Sequence, residues 1–238
     1  MMKKRLLSFS LLGLSLALLV LLGACSAQQE VDIKRSEKQA QLEEDLEPVF
    51  ALFTDKKIKD KAYVAVTEQA TTDIKDSKSL KQLSNYQLDL KLTDNGYVGK
   101  INLVDHSSYV WYQKGSLYKD EKYSQKLEDY QPLFDRLNLT RNYLGQLDVK
   151  NSAKKPDADI LEISYLEDKQ SENLKQIRKD YGLSDSATAT ITLKRKYNAA
   201  KRYAYSLKYS VKDSEKDQKV EYQFSFELSS PYKAKKKK

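Results

Sequence analysis

Residues 203–228 read YAYSLKYSVKDSEKDQKVEYQFSFEL. Tyr203, Tyr205, Leu207, Tyr209 and Val211 fall on one face of an extended chain, with Ala204, Ser206, Lys208 and Ser210 on the other. After the polar hairpin stretch Asp213 to Asp217, the alternation resumes: Val220, Tyr222, Phe224, Phe226 and Leu228 oppose Lys219, Glu221, Gln223, Ser225 and Glu227. Just upstream, Ala189, Ile191 and Leu193 alternate with Thr188, Thr190 and Thr192. Three consecutive strands with one apolar and one wet face predict an antiparallel sheet exposed on one side. The apolar face must be covered by something else in the chain.

Working back toward the N-terminus, helices offer that cover. Ser171 caps a predicted helix carrying Leu174, Ile177 and Tyr181, and Gly182 stands where a helix C-terminus wants glycine. Pro132, Leu133, Phe134, Leu137 and Leu144 predict another helix over 132–144, ending at Gly145. Leu42, Leu46, Val49 and Phe53 keep one helical face over 37–53, with Ser36 and Gln39 placed like a capping box. Pro48 either kinks that helix or marks the start of a second one.

Strands fill the intervals. Tyr86, Leu88, Leu90 and Leu92 alternate with polar residues, and Asp94-Asn95-Gly96 is a hairpin signal returning the chain through Tyr97 to Asp105. Tyr109 to Gln113, a short Ser116 to Lys119 and Ile160 to Leu166 add three more, while Lys150 to Asp159 reads as a polar loop. Lys59 to Ile74 has no clear period, although Tyr63, Val64 and Val66 fit a short strand. The expected fold is α+β: one curved antiparallel sheet, a half-barrel of seven or more strands, with helices on its concave face.

The N-terminus has a different character. Lys3, Lys4 and Arg5 precede an apolar run from Leu6 to Leu22, which ends in Leu22-Gly23-Ala24-Cys25. A basic start, a short apolar middle and a small-residue exit form an export signal. The exit resembles the lipobox of bacterial lipoproteins, and the chain's single cysteine occupies the position that motif requires. The resemblance implies cleavage before Cys25 and a diacylglyceryl-cysteine anchor, palmitate-type acyl chains included, on the extracytoplasmic face of the cell membrane. The expected organisation is therefore a signal peptide over 1–24, a tether over 25–36, one domain over 37–230 and a lysine-rich disordered tail over 231–238.

Charge narrows the function. The formal net charge is +8. Signal residues Lys3, Lys4 and Arg5 and tail residues Lys233 and Lys235 to Lys238 account for it, so the body is balanced. A nucleic-acid partner, which needs a basic face on the domain, is not expected. The tail suits anionic lipid or wall polymer, each lysine near a charged membrane contributing roughly 1 kcal/mol before screening.

The strand–turn–strand Tyr109-Val110-Trp111-Tyr112-Gln113-Lys114-Gly115 with Leu117-Tyr118, and the helix from Leu174 to Gly182 feeding three closing strands, resemble the LolA/LppX-like half-barrel lipoproteins. Small Gram-positive lipoproteins, mostly of unknown function, share that shape. The resemblance covers about residues 37 to 230. It implies carriage of acyl chains or lipoproteins between sheet and helices, and it transfers no individual binding residue.

Catalytic chemistry is sparse. His106, the single histidine, stands in Asp105-His106-Ser107-Ser108 without a G-x-S-x-G elbow, and reads as an exposed loop residue. Zinc lacks further His or Cys ligands, and Glu43-Glu44-Asp45 and Glu167-Asp168 lack calcium-loop spacing and read as solvated faces. No cofactor and no enzymatic activity are expected. Tyr203, Tyr205, Leu207, Tyr209, Tyr222, Phe224 and Phe226 are open to two readings, solid core or the wall of a lipid pocket. Trp111 and Tyr112 face opposite ways, and an exposed Trp111 suits contact with an envelope partner or glycan. The expectation is a non-enzymatic envelope lipoprotein binding a hydrophobic ligand; the alternatives are a protein- or wall-interaction module and, third, a hydrolase.

Overall fold

The computed structural model describes residues 37–55, 63–74, 85–94, 96–114, 116–128, 130, 136–155, 160–197 and 203–228. The signal, Cys25, the tether and the lysine tail lie outside them. The described residues form ten strands: β1 (Tyr63–Asp73), β2 (Tyr86–Thr93), β3 (Gly96–Leu103), β4 (Ser107–Gln113), β5 (Ser116–Tyr118), β6 (Asp148–Lys155), β7 (Ile160–Leu166), β8 (Thr188–Tyr197), β9 (Tyr203–Asp213) and β10 (Gln218–Leu228). Four helices accompany them: α1 (Glu37–Asp45), α2 (Glu47–Asp55), α3 (Arg141–Leu144) and α4 (Glu172–Tyr181).

All ten strands share one open antiparallel sheet, in the order β5-β4-β3-β2-β1-β10-β9-β8-β7-β6. The chain runs outward from β1 to β5, passes to the far edge, and returns from β6 to β10. The first and last strands therefore pair at the centre, Val66 opposite Phe226 and Asp73 opposite Lys219. This is the expected curved half-barrel with helices on one face.

Two strands exceed the expectation. β1 is a central strand of 11 residues. Its inner positions are Val66, Glu68 and Ala70, and the acid in the middle hides the apolar period. The expected loop from Lys150 is corrected: Asp148–Lys155 is the edge strand β6, paired only with β7. An edge strand is held by backbone hydrogen bonds on one side and needs no apolar alternation, and polar residues on it discourage pairing with other chains.

The helix expected over 132–144 is also corrected. Residues 132–135 lie outside the described residues; Arg136 is helical, 137–140 are not, and Arg141–Leu144 is helical again, capped by the Thr140 hydroxyl accepting from the Tyr143 amide. Before it, Leu137 and Leu139 are buried around exposed Asn138, the pattern of extended chain. Asn173 of α4 holds that segment open. Its Oδ1 accepts from the Asn138 amide at 2.8 Å and its Nδ2 donates to the Asn138 carbonyl at 2.9 Å.

The other helix signals hold, apart from the Ser36 cap, which lies outside the described residues. Pro48 sits in the first turn of α2, where a missing amide costs nothing, so a second helix starts after Leu46. The Ser171 hydroxyl accepts from the Leu174 amide, and Gly182 closes α4 at φ +60°. Beneath the helices, one core joins Leu46, Phe50 and Phe53 of α1–α2 to Leu174 and Ile177 of α4 and to the inner face of the sheet.

Candidate functional site

The inner-face register defines the site. One cross-strand row runs Tyr165–Ile191–Tyr209–Tyr222–Ala70–Tyr86–Leu103, and the next runs Ile163–Leu193–Leu207–Phe224–Glu68–Leu88–Ile101. Tyr205, Leu207, Tyr209, Tyr222, Phe224 and Phe226 are all buried, and Tyr203 is half-buried at the rim. The aromatic stripe is thus brought together as core: Tyr205 stacks on Phe226 at 5.4 Å between centroids, and Phe226 tilts against Phe224 at 5.8 Å.

The first row is polar at its tips, and each hydroxyl meets a buried charge. Tyr165 donates to Glu43 of α1 at 2.9 Å. Tyr86 donates to Glu68 of β1 at 2.5 Å. Tyr209 faces Glu167, which also accepts from Tyr143. Tyr222 meets the Tyr181 hydroxyl and the Arg136 guanidinium, whose other nitrogen donates to Asp180 at 2.9 Å. The seam ties the sheet to every layer above it: α1, the 136–147 segment and α4.

Glu43, Glu68 and Glu167 are all buried. This corrects the reading of the acid clusters as solvated: Glu44 and Asp168 are exposed, but Glu43 and Glu167 point inward. Glu43 also accepts from Gln39 one helical turn earlier, at 3.0 Å, and lies 3.7 Å from Arg141. Sequence reasoning missed these acids because charge was taken as a surface mark. The available signal was position: Glu43 follows Leu42 at the edge of the apolar stripe, and Glu68 takes an inner slot of β1.

Burial sets the electrostatics. It holds the Tyr86 hydroxyl well above the usual tyrosine range, with the Glu68 charge adding to it. Tyr209 and Tyr222 are raised chiefly by burial as well. Burial likewise raises the Glu167 carboxyl, against the opposing hydrogen bond from Tyr143. A raised folded-state value means the native protein binds the proton more tightly than the unfolded chain. The Glu167 contribution to stability is therefore present at acid pH and lost as pH rises through the folded value. Replacing Glu167→Gln should leave the melting temperature closest to wild type near about pH 4 and improve it relative to wild type toward about pH 7. A difference that is flat or reversed across parallel thermal melts would contradict this assignment.

The outer face is built differently. Trp111 is half-buried there, while Tyr112 on the opposite face is buried, so the two diverge as their alternation requires. Trp111 pairs in register with Tyr118, and Tyr109 is 63% exposed beneath the Lys100 ammonium, 4.7 Å from its ring centroid. On β1–β3 an open depression of about 290 Å³ is lined by the outward residues Gln69, Thr71, Asn85, Gln87, Asn102 and Val104, with Ala70, Tyr86 and Leu103 between them.

His106 lies on an exposed turn with Nδ1 at 2.6 Å from Asp105, and the neighbouring Ser107 hydroxyl donates to Asn102 at 2.8 Å. The Ser, His and acid of that turn are therefore not chained as a triad. Among the described residues no three His, Cys, Asp or Glu side chains converge as metal ligands, and no helix is long and apolar enough to cross a membrane.

No family model and no curated protein matches this chain. Among solved structures it is similar to the crystal structure of LprF from Mycobacterium bovis, with a TM-score of 0.40 and 13% identity over 82% of this chain and 96% of that one.

Proposed function

We propose that this chain is a non-enzymatic, lipid-anchored protein of the bacterial cell envelope, whose half-barrel takes an amphipathic ligand between sheet and helices. The observation that carries this reading is the layer under the helices. Aromatic and aliphatic side chains line it, and the hydroxyls of Tyr165, Tyr86, Tyr143 and Tyr222, bonded to Glu43, Glu68, Glu167 and Arg136, run across it. Buried ionic groups contribute less stability than well-packed apolar residues of similar volume. Here they offer a polar head group its partners beside an apolar wall for its chains. Helices α1 and α2 fill the layer in this structure, so a ligand would enter by displacing them.

Anchoring rests on the resemblance at Cys25. The chain should partition with membranes, and Cys25→Ala should release it to the soluble fraction. Residues 26–238, secreted without the anchor, would then be weighed by native mass spectrometry beside a denatured control. A bound species of lipid mass that disappears on denaturation supports the interior site. A clean apo mass, together with no uptake of added phospholipid, would transfer the function to the outer surface, where exposed Tyr109 and half-buried Trp111 and Tyr118 on β4 and β5 favour a contact role.

A further inference from the structure

We propose that the outer face of β1–β5 is a binding site for a neutral, hydroxyl-rich glycan chain. Sugar rings would lie on Trp111 and against Tyr109, whose overlying Lys100 ammonium would donate to a sugar hydroxyl, and other hydroxyls would meet the amides of the adjoining depression. This goes beyond the interior ligand and does not depend on it.

Three features converge on this surface. The first is an aromatic platform. Tyr109 and Trp111 are alternate residues of β4 on the same face, and Tyr118 stands beside Trp111 across β5. The apolar C–H face of a pyranose ring packs on such rings, while its edge stays polar. The second is an amide row. Gln69, Gln87 and Asn102 are in register across three adjacent strands. Gln87 Nε2 donates to Asp89 at 2.7 Å, and Asn102 Oδ1 accepts from Ser107 at 2.8 Å. These side bonds fix the amides and leave Gln87 Oε1 and Asn102 Nδ2 with no partner among the described residues. One acceptor and one donor side by side suit a hydroxyl, which both gives and takes.

Charge is the third feature, and it selects the ligand class. No side chain lining the depression is ionised, and the flanking charges Asp89 and Lys100 face each other in register across β2 and β3, so the surface presents no net charge to an anionic polymer or a cationic peptide. The two halves are also contiguous. Asn102 at the rim of the depression faces Ser107 in register, and Tyr109 is the next outward residue of β4. Neighbouring strands lie about 4.8 Å apart, so the centre of the depression on β2 is about 10 Å from the platform on β4. An extended oligosaccharide crossing the strands reaches both.

Trp111 is the chain's single tryptophan, so its fluorescence reports the site directly. The full chain in mild detergent would be titrated with chitohexaose, cellohexaose and, as an anionic comparison, dextran sulfate. The expected result is a saturable change with at least one neutral oligosaccharide, and which one distinguishes an N-acetylated from a plain hexose source. Tyr109→Ala should weaken binding about tenfold or more, as truncating a central aromatic contact does. The double variant Gln87→Ala/Asn102→Ala should weaken it comparably. Tyr197→Ala, an exposed aromatic on β8, should leave it unchanged. If Tyr109→Ala fails to fold by circular dichroism, the exposed-amide variant decides alone. No saturable response to either neutral sugar, tighter binding of dextran sulfate, or unchanged binding in the folded variants would overturn the proposal.

Discussion

Gly99→Ala should destabilise the domain by about 3 kcal/mol, a large loss for one added methyl group. The reason is local and geometric. A Cβ at position 99 would stand 1.8 Å from the Asp89 carbonyl oxygen, 2.8 Å from its carbon and 3.0 Å from the Leu90 Cα. All three are backbone atoms of the neighbouring strand β2, so no side-chain rotation relieves the overlap. The strands themselves must part, and β2–β3 pairing suffers with them. Gly99 lies on the inner face, between Tyr97 and Ile101, opposite Leu90 on one side and Val110 on the other. A glycine inside a strand marks a close backbone approach or a sharp bend, and at Gly99 it is the close approach of β2.

Gly182→Ala is the matched control. Its φ is +60°, and an added Cβ meets nothing within 4 Å. That variant carries only the left-handed backbone penalty, about 1 kcal/mol. Urea unfolding of both variants, compared at equal slope, separates the two causes. If Gly99→Ala cost no more than Gly182→Ala, the close approach of β2 and β3 would not be a constraint on the fold. Because Trp111, Tyr109 and the amide row all depend on β3 for their spacing, loss of this register should also blunt any outer-face binding.

Legibility in the sequence followed solvent exposure. Strands β2, β4 and β7–β10 have one wet face and were placed by alternation, while β3 was placed by the Asp94-Asn95-Gly96 turn and β5 by its position after Lys114-Gly115. β1 did not announce itself because Glu68 occupies an inner slot between Val66 and Ala70, and β6 did not because an edge strand needs little apolar surface. The polar seam was harder still. Tyr165 and Glu43 lie 122 residues apart, and Tyr222 and Arg136 lie 86 apart. Their meeting is decided by which strands are neighbours, and the central pairing of β1 with β10 has no local signature. The aromatic stripe was legible as a stripe. Whether it was solid or hollow depended on helices contributed from the other end of the chain.

The Arg136–Asp180 pair should show the energetic character of that seam most sharply. The Arg136 side chain is only 4% exposed and that of Asp180 14%. Removing the carboxylate with Asp180→Ala leaves a buried cation supported by the Tyr222 hydroxyl and by the ring beneath it, 5.1 Å from the guanidinium carbon. Loss of one partner from such a pair costs about 3–5 kcal/mol, most of it the desolvation of the charge left behind. Arg136→Met should cost less, because Asp180 lies nearer solvent and methionine keeps much of the packing on Tyr222. The double variant Arg136→Met/Asp180→Ala should then be more stable than Asp180→Ala alone, since no charge remains stranded. Guanidinium unfolding of the four proteins forms a double-mutant cycle that measures this directly. A double variant no more stable than Asp180→Ala, with a loss equal to the sum of the two single changes, would show zero coupling: the two groups would act independently, and no stranded charge would account for the loss.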